Sequence, residues 1–115
     1  MSSQTFKFLG QCLWASSMLI SLNVLSDSVD VAAAEALAKK SNCTKCHSID
    51  KKKDGPPYKE TAAKYKGKSD AEAKLVKHIT TGPTIKIEGV EEQHQIVKTK
   101  DEAEIKNLVR YILSR

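Results

Sequence analysis

A Cys-x-x-Cys-His pentad at residues 43–47 constrains the fold of this chain more than any other sequence feature. Cys43 and Cys46 have the spacing at which two thiols reach the two vinyl groups of one porphyrin and close two thioether bonds. His47 follows directly, so its imidazole is held under the iron of a porphyrin attached in this way. The pentad therefore predicts one covalent haem c, attached through Cys43 and Cys46, with His47 as an iron ligand.

Two other kinds of site also begin with Cys-x-x-Cys, a dithiol redox pair and a zinc site. A zinc site needs four ligands, and the third cysteine of the chain, Cys12, falls in a segment that we expect to be removed. A thioredoxin-like pair is typical of a βαβ unit, and no such pattern surrounds residues 43–47. Haem attachment is therefore the better-supported interpretation.

The first 34 residues have the character of an export signal. They carry one lysine near the start, a mostly apolar run over residues 8–25 and a small-residue stretch over residues 31–34 that suits signal peptidase. Polar residues dilute the apolar run, which argues against a retained membrane anchor. We therefore expect residues 1–34 to be a cleaved signal peptide, residues 35–115 to form one domain, and the processed protein to lie unanchored in the periplasm.

The charge of the chain restricts its partners. It has 19 Lys and Arg against 14 Asp and Glu, a formal net charge of +5, and few aromatic residues. Because the lysines are spread along the chain and form no stripe, nucleic-acid binding has little support. A basic surface that docks acidic redox partners is expected instead, with the lysines beside the pentad as candidates (Lys45, Lys51, Lys52, Lys53). A solvated lysine-rich surface is the plainer alternative, and the oligomeric state stays open.

After residue 34 the periodicity predicts an all-α domain of about four short helices. A helix-prone segment from Glu35 to about Asn42 precedes the pentad, and a short helix spans Thr61 to Lys66. Capping boxes at residues 69–72 and 99–102 open two more helices, with apolar stripes at Leu75, Val76, Ile79 and at Ile105, Leu108, Val109, Ile112, Leu113. Residues 82–98 show no clear periodicity and are expected to form a long functional loop over the far face of the haem.

Several segments resemble the small bacterial class I cytochromes c. They are residues 35–41, 47–53, 55–59, 62–65 and 105–114. The resemblance implies a compact helical fold wrapped around one haem, with crossing first and last helices, and an electron carrier rather than an enzyme. It also implies that the carbonyl of Pro56 accepts a hydrogen bond from Nδ1 of His47, which leaves Nε2 for iron.

The chain departs from this family at the sixth iron ligand, which is a methionine in the class. The two methionines, Met1 and Met18, both precede the expected cleavage site, so the domain has none. The family's Val-Trp-Gly segment, whose indole reaches a propionate, is replaced by Ile85-Lys86-Ile87-Glu88-Gly89. The loop has been rebuilt, and a His–Met cytochrome is excluded if the export interpretation holds.

Counted back from the last helix, His94 falls where the family's methionine stands. A bis-histidine haem with His47 and His94 as ligands is the leading hypothesis, and it predicts a lowered reduction potential. His78, expected to be an exposed helix residue, is a second candidate ligand; an open or water-bound iron and ligation by Lys86 or Lys98 are further ones. An open iron would make the protein a sensor or minimal enzyme for NO, CO, peroxide or a sulfur species. A haem subunit of a larger redox complex is also possible.

Overall fold

The computed structural model describes residues 28–115. This part of the chain contains five helices and one β-hairpin, named here α1 Val31–Lys40, α2 Cys43–Cys46, α3 Tyr58–Tyr65, α4 Ala71–Thr81, β1 Thr84–Ile87, β2 Val90–Gln93 and α5 Glu102–Leu113. The mostly helical class is confirmed. About four helices were predicted, and the fifth is the single turn α2 that the pentad itself forms. The β-hairpin was not predicted.

The last helix, α5, is the centre of the core. Its apolar stripe is buried as predicted, with Val109 at 0% exposure, and it packs against α1, α3 and α4. The helix begins two residues later than its capping box suggested, because the side chain of Asp101 accepts hydrogen bonds from the backbone N–H groups of Ala103 and Glu104 at 2.8 and 3.1 Å. Thr99 instead donates to the carboxylate of Glu104 at 2.6 Å.

Helices α1 and α5 are joined by side-chain hydrogen bonds at two places. The backbone N–H of Asp30 donates to Oδ1 of Asn107 at 2.9 Å, and Nδ2 of Asn107 donates to the carbonyl of Asp30 at 2.8 Å. Further along, the hydroxyl of Tyr111 donates to Glu35 at 2.9 Å. The expected packing of the first helix on the last one is therefore present.

Helix α1 begins four residues before the predicted start of the domain. Asp30 is its N-cap and accepts a hydrogen bond from the N–H of Ala33 at 2.9 Å, while Ala34 lies in the core at 1% exposure. A cut after residue 34 would therefore remove the first turn of a packed helix. The remainder of the predicted signal, with Cys12, Met1 and Met18, lies outside the described residues, and no helix within residues 28–115 has the length and apolarity to cross a bilayer.

Helix α4 forms where it is predicted, although its N-terminal cap differs. Asp70 stands at the N-cap position but makes no capping bond, and its carboxylate pairs with Lys74 at 2.7 Å. The predicted stop at Gly82 is present, in the left-handed conformation with φ of 59°. No residue with a side chain fits at Gly82, since its Cβ atom would stand 2.8 Å from the carbonyl oxygen of His94.

The prediction of an irregular loop is wrong for residues 84–93, which form the antiparallel hairpin β1–β2. Ile85 pairs with Glu92 and Ile87 with Val90. The two-residue turn consists of Glu88 and Gly89, with φ of 50° and 86°, which is the pattern of a type I′ turn whose twist matches that of the strands. The alternation of Ile85 and Ile87 before Gly89 was the available sequence signal.

Two main-chain N–H groups, those of Val97 and Lys98, bond the segment after the hairpin to the helices, and residues 97–98 are called the strap here. Val97, which is buried, donates its N–H to the carbonyl of Ile79 at 2.9 Å, and Lys98 donates its N–H to Oγ of Ser41 at 2.9 Å. Ser41 is fully buried at the end of α1. This strap ties the residues just after His94 to the part of the chain that enters the pentad.

Replacement of Ser41 by alanine should destabilise the fold, because the N–H of Lys98 would lose its partner at a buried position. The expected loss in the free energy of unfolding is about 1–3 kcal/mol, measured by denaturation in guanidinium chloride. Ser69→Ala, at an exposed position, is the control and should change stability by less than about 0.5 kcal/mol. Equal effects of the two substitutions would contradict the role given to the strap.

Candidate haem-binding site

The pentad presents both thiols to one cavity. Asn42, in the left-handed conformation with φ of 60°, turns the chain from α1 into the single helical turn of α2. Cys43 and Cys46 are three residues apart on that turn, so their side chains lie on the same face. Both side chains are half-buried, and both line the cavity.

The environment of Cys43 does not favour a thiolate. Burial raises the pKa of the Cys43 thiol, whereas reactive dithiol pairs depend on a lowered one. The zinc alternative also lacks support within residues 28–115, where no group of three or more histidine, cysteine and acidic side chains is placed to hold a metal ion. The arrangement of the thiols suits covalent attachment of a cofactor better than either alternative.

His47 is oriented by contacts on three sides. Its Nδ1 donates to the carbonyl of Pro56 at 2.7 Å, which is the contact that the resemblance implies. The ring of Tyr58 stacks on the imidazole, with centroids 5.8 Å apart and planes inclined by 21°. Gly55 completes the enclosure, since a Cβ atom there would stand 2.4 Å from Cε1 of His47. The ring can thus keep this orientation only beside a glycine.

His94 follows β2 and faces the same cavity. Its backbone N–H donates to the carbonyl of Pro83 at 3.0 Å, and its Nδ1 donates to the carbonyl of Gln95 at 2.8 Å. Beside it, the side-chain amide of Gln93 donates to the carbonyl of Gly82. The chain around His94 is therefore fixed to the end of α4 and the start of β1.

The rings of His47 and His94 stand 6.1 Å apart between centroids, with planes inclined by 46°. Two imidazoles on opposite sides of one metal, with metal–nitrogen bonds of about 2 Å, would have their centroids roughly 6 Å apart. In both residues Nδ1 donates to a backbone carbonyl, so Nε2 is the nitrogen left with a lone pair for a metal. Burial lowers the pKa of His94, which keeps its ring neutral near pH 7 as ligation requires.

His78 is not the exposed helix residue that was expected. It is half-buried, lines the cavity and makes an edge contact with His94, with centroids 4.3 Å apart and planes inclined by 65°. Burial, followed by the charge of His94, lowers the pKa of His78. The face of α4 beside the apolar stripe meets the cavity rather than solvent, and a helical periodicity could not reveal that. Of the two lysine candidates, Lys86 lines the cavity and Lys98 does not.

The cavity itself has a volume of about 490 Å³ and mostly apolar walls. Helices α4 and α5 contribute its aliphatic side, and β1 contributes the opposite wall through Ile85 and Ile87. The hydroxyl of Tyr58 is buried there without a hydrogen-bond partner among the described residues, and burial raises its pKa well above the usual range. A buried unpaired hydroxyl is rare unless a bound group completes the site. Size, lining and donor set all fit a haem held at Cys43 and Cys46.

Fold and site together define a small, mostly helical domain built to enclose one covalently attached haem. The family model for cytochrome c matches residues 31–115, and the chain belongs to the cytochrome c family. Proteins of this family carry one haem c bound through a Cys-x-x-Cys-His motif, and Cys43 and Cys46 fit that role.

Relatives of known sequence and structure agree with this assignment. Cytochrome c-551 of Pseudomonas aeruginosa is 39% identical over 66 residues, which are 57% of this chain and 64% of that protein. The match therefore spans a little less than two-thirds of that relative. Cytochrome c-552 of Hydrogenobacter thermophilus is 39% identical over 82 residues, 71% of this chain and 81% of that protein.

Among solved structures, the class 1 cytochrome MtoD from Sideroxydans lithotrophicus ES-1 is similar to this chain with a TM-score of 0.73 and 54% identity. The alignment covers 76% of this chain and 97% of that one.

The Gly55→Ala substitution should displace the ring of His47, because the added Cβ has no space beside Cε1. We expect loss of the normal haem absorption spectrum and a lower yield of haem-loaded protein, measured by absorption spectroscopy of the purified protein. Gly67→Ala is the matched control, since nothing lies within 4 Å of its Cβ and only its positive φ is penalised, by about 1–2 kcal/mol. A normal spectrum in Gly55→Ala would show that His47 is not held in this way.

Proposed function

We propose that the protein is a monohaem electron carrier in which His47 and His94 are the two axial iron ligands. The observation that carries the proposal is the pair of imidazoles at one cavity, with centroids 6.1 Å apart and each Nδ1 bonded to a backbone carbonyl. When bound, the haem supplies one-electron exchange at its iron. The chain itself holds the two imidazoles in place and encloses the cavity in which the haem would lie.

The chain holds both imidazoles by its backbone, which limits movement between oxidation states. His47 is fixed through Pro56 and the Gly55 contact, and His94 through Pro83 and Gln95. If His47 and His94 both held the iron, no position on it would remain for an exogenous molecule. The proposed role is therefore a carrier and not an enzyme or a gas sensor.

The ligand pair also sets the expected potential. A thioether stabilises ferrous iron, whereas a second imidazole donates more strongly to ferric iron. Replacing the family's methionine by His94 should lower the reduction potential by something on the order of 0.1–0.3 V within the wide range that axial ligands cover. The proposed partners are donors and acceptors of correspondingly low potential.

We also propose that the carrier works in the periplasm after removal of an export signal. The composition of the first residues supports export. A cleavage site before Asp30 is supported by the contacts of that residue. Asp30 caps α1, donates its N–H to the side chain of Asn107 and accepts a hydrogen bond from it. This position differs from the boundary after residue 34 that the small-residue stretch suggests.

The ligand assignment is tested by absorption and EPR spectra of the purified ferric protein. We expect a low-spin signal with imidazole-type g values in the wild type and in His78→Ala, and a high-spin signal in His94→Ala. Since His78 lies next to His94, the double variant is also needed to detect replacement of one ligand by the other. Redox titration of the same samples should give a wild-type potential below those of His–Met cytochromes.

A high-spin wild type, or rapid CO binding to its reduced form, would contradict the bis-histidine assignment. It would favour the ligand-binding alternative, in which His94 and His78 face an open iron. A reduction potential as positive as that of a His–Met cytochrome would independently contradict the assignment of His94 as the second ligand.

The position of processing is tested by intact-mass analysis of the protein recovered from the periplasm. We expect a mature N-terminus at or before Asp30, because the cap and the hydrogen bonds to Asn107 would otherwise be lost. Asn107→Ala should lower the free energy of unfolding of the mature protein by about 1 kcal/mol for each of the hydrogen bonds that it removes. A mature chain that starts at Glu35, with Asn107→Ala as stable as the wild type, would rule this out.

A further inference from the structure

His78 and His94 are in ring contact at the wall of the haem cavity. Both rings line that cavity, and they meet edge to face with centroids 4.3 Å apart and planes inclined by 65°. His47 is the other imidazole near His94, at 6.1 Å between centroids. The ring of His94 therefore has two histidine neighbours, and His78 is the nearer of them.

His78 is held by a well-ordered helix end. It lies in the last turn of α4, where its neighbours Leu75 and Ile79 are buried. Its carbonyl accepts a hydrogen bond at 3.3 Å from the N–H of Gly82, the residue that caps the helix. Because side chains on a helix have few allowed rotamers, the ring of His78 stands in a defined position against His94.

The backbone around His94 is tied to the same helix end. The N–H of His94 donates at 3.0 Å to the carbonyl of Pro83, directly after the helix cap, and Val97 donates its N–H to the carbonyl of Ile79 at 2.9 Å. With both backbones fixed, the freedom left to His94 is rotation about its side-chain torsions. The edge of the His78 ring occupies space into which the His94 ring would otherwise rotate.

We propose that His78 is a positioning residue, which holds the ring of His94 in the orientation in which it binds iron and so keeps the iron closed to small ligands. The inference rests on the ligand role proposed for His94. A free side chain loses rotational freedom when it binds a metal, whereas a ring that is already held in place loses less. The bond from Nδ1 of His94 to the carbonyl of Gln95 limits the same rotation.

The orientation of the His94 ring has a spectroscopic signature. In a ferric haem with two imidazole ligands, the angle between the ring planes affects the splitting of the iron d orbitals and therefore the g values in EPR. The planes of His47 and His94 are inclined by 46°. Removal of the His78 ring should therefore change the g values and broaden the signal, while the iron stays low-spin.

The test compares His78→Ala with His78→Phe in the purified, haem-loaded ferric protein. Alanine removes the ring edge, whereas phenylalanine keeps a flat ring at the same place and cannot bind iron. We expect a shifted, broadened low-spin EPR signal in His78→Ala and a signal close to that of the wild type in His78→Phe. Cyanide must displace His94, so it should bind His78→Ala about three- to tenfold more tightly than the wild type or His78→Phe.

The matched control is Ala73→Gln, at an exposed position of the same helix that does not line the cavity. We expect wild-type g values and wild-type cyanide affinity for this variant. Unchanged g values and cyanide affinity in His78→Ala would overturn the proposal. Failure of His78→Phe to restore them would also overturn it, because His78 would then act through a ring nitrogen and not by packing. A high-spin His78→Ala would make His78 itself a ligand, with the same consequence.

The ligand assignment and the positioning role fail in different experiments. A low-spin wild type that becomes high-spin in His94→Ala, together with an unchanged spectrum in His78→Ala, would remove only the positioning role. A high-spin wild type would remove the ligand assignment itself, before any substitution at His78 is made.

Discussion

The hydrogen bond from Nδ1 of His47 to the carbonyl of Pro56 is the contact on which the rest of the site depends. It fixes which nitrogen of the ring is free and the direction in which that nitrogen points. Gly55 allows this bond, since any side chain there would displace the ring, and Tyr58 supports the opposite face. Because α2 immediately precedes His47, the thiols and the imidazole are placed by one continuous stretch of chain.

The distal side is assembled differently, from segments that are distant in sequence. The hairpin covers one wall of the cavity, and the strap through Val97 and Lys98 returns the chain to α4 and to Ser41. His94 lies between these two elements, so its position depends on both. A histidine in a free loop would lose conformational freedom each time it bound the metal. Main-chain bonds at His94 would remove most of that cost for the ligand role that we propose for this residue.

Sequence reasoning was most reliable where the signal is local. The pentad, the amphipathic stripe of α5 and the stop at Gly82 depend on spacing within one or two turns of helix, and the structure shows these elements. The hairpin was missed because four-residue strands offer only two alternating positions each, with Glu88 in place of the usual Asn or Asp before Gly89. The burial of His78 could not be predicted, since it depends on a cavity that α4 shares with the hairpin. The start of α1 at Val31 could not be predicted for a related reason, because the contact between Asp30 and Asn107 joins residues that are 77 positions apart in sequence.

The size of the cavity shows why the cofactor belongs to the fold as much as to the function. An unfilled apolar volume costs about 24 cal/mol per Å³ in core-mutation series. For a cavity of about 490 Å³ this is on the order of 10 kcal/mol, an upper limit because water would enter an open site. A small domain has a total stability of only about 5–15 kcal/mol. The walls formed by α4, α5 and β1 therefore need the haem between them, and covalent attachment through Cys43 and Cys46 ensures that it does not dissociate.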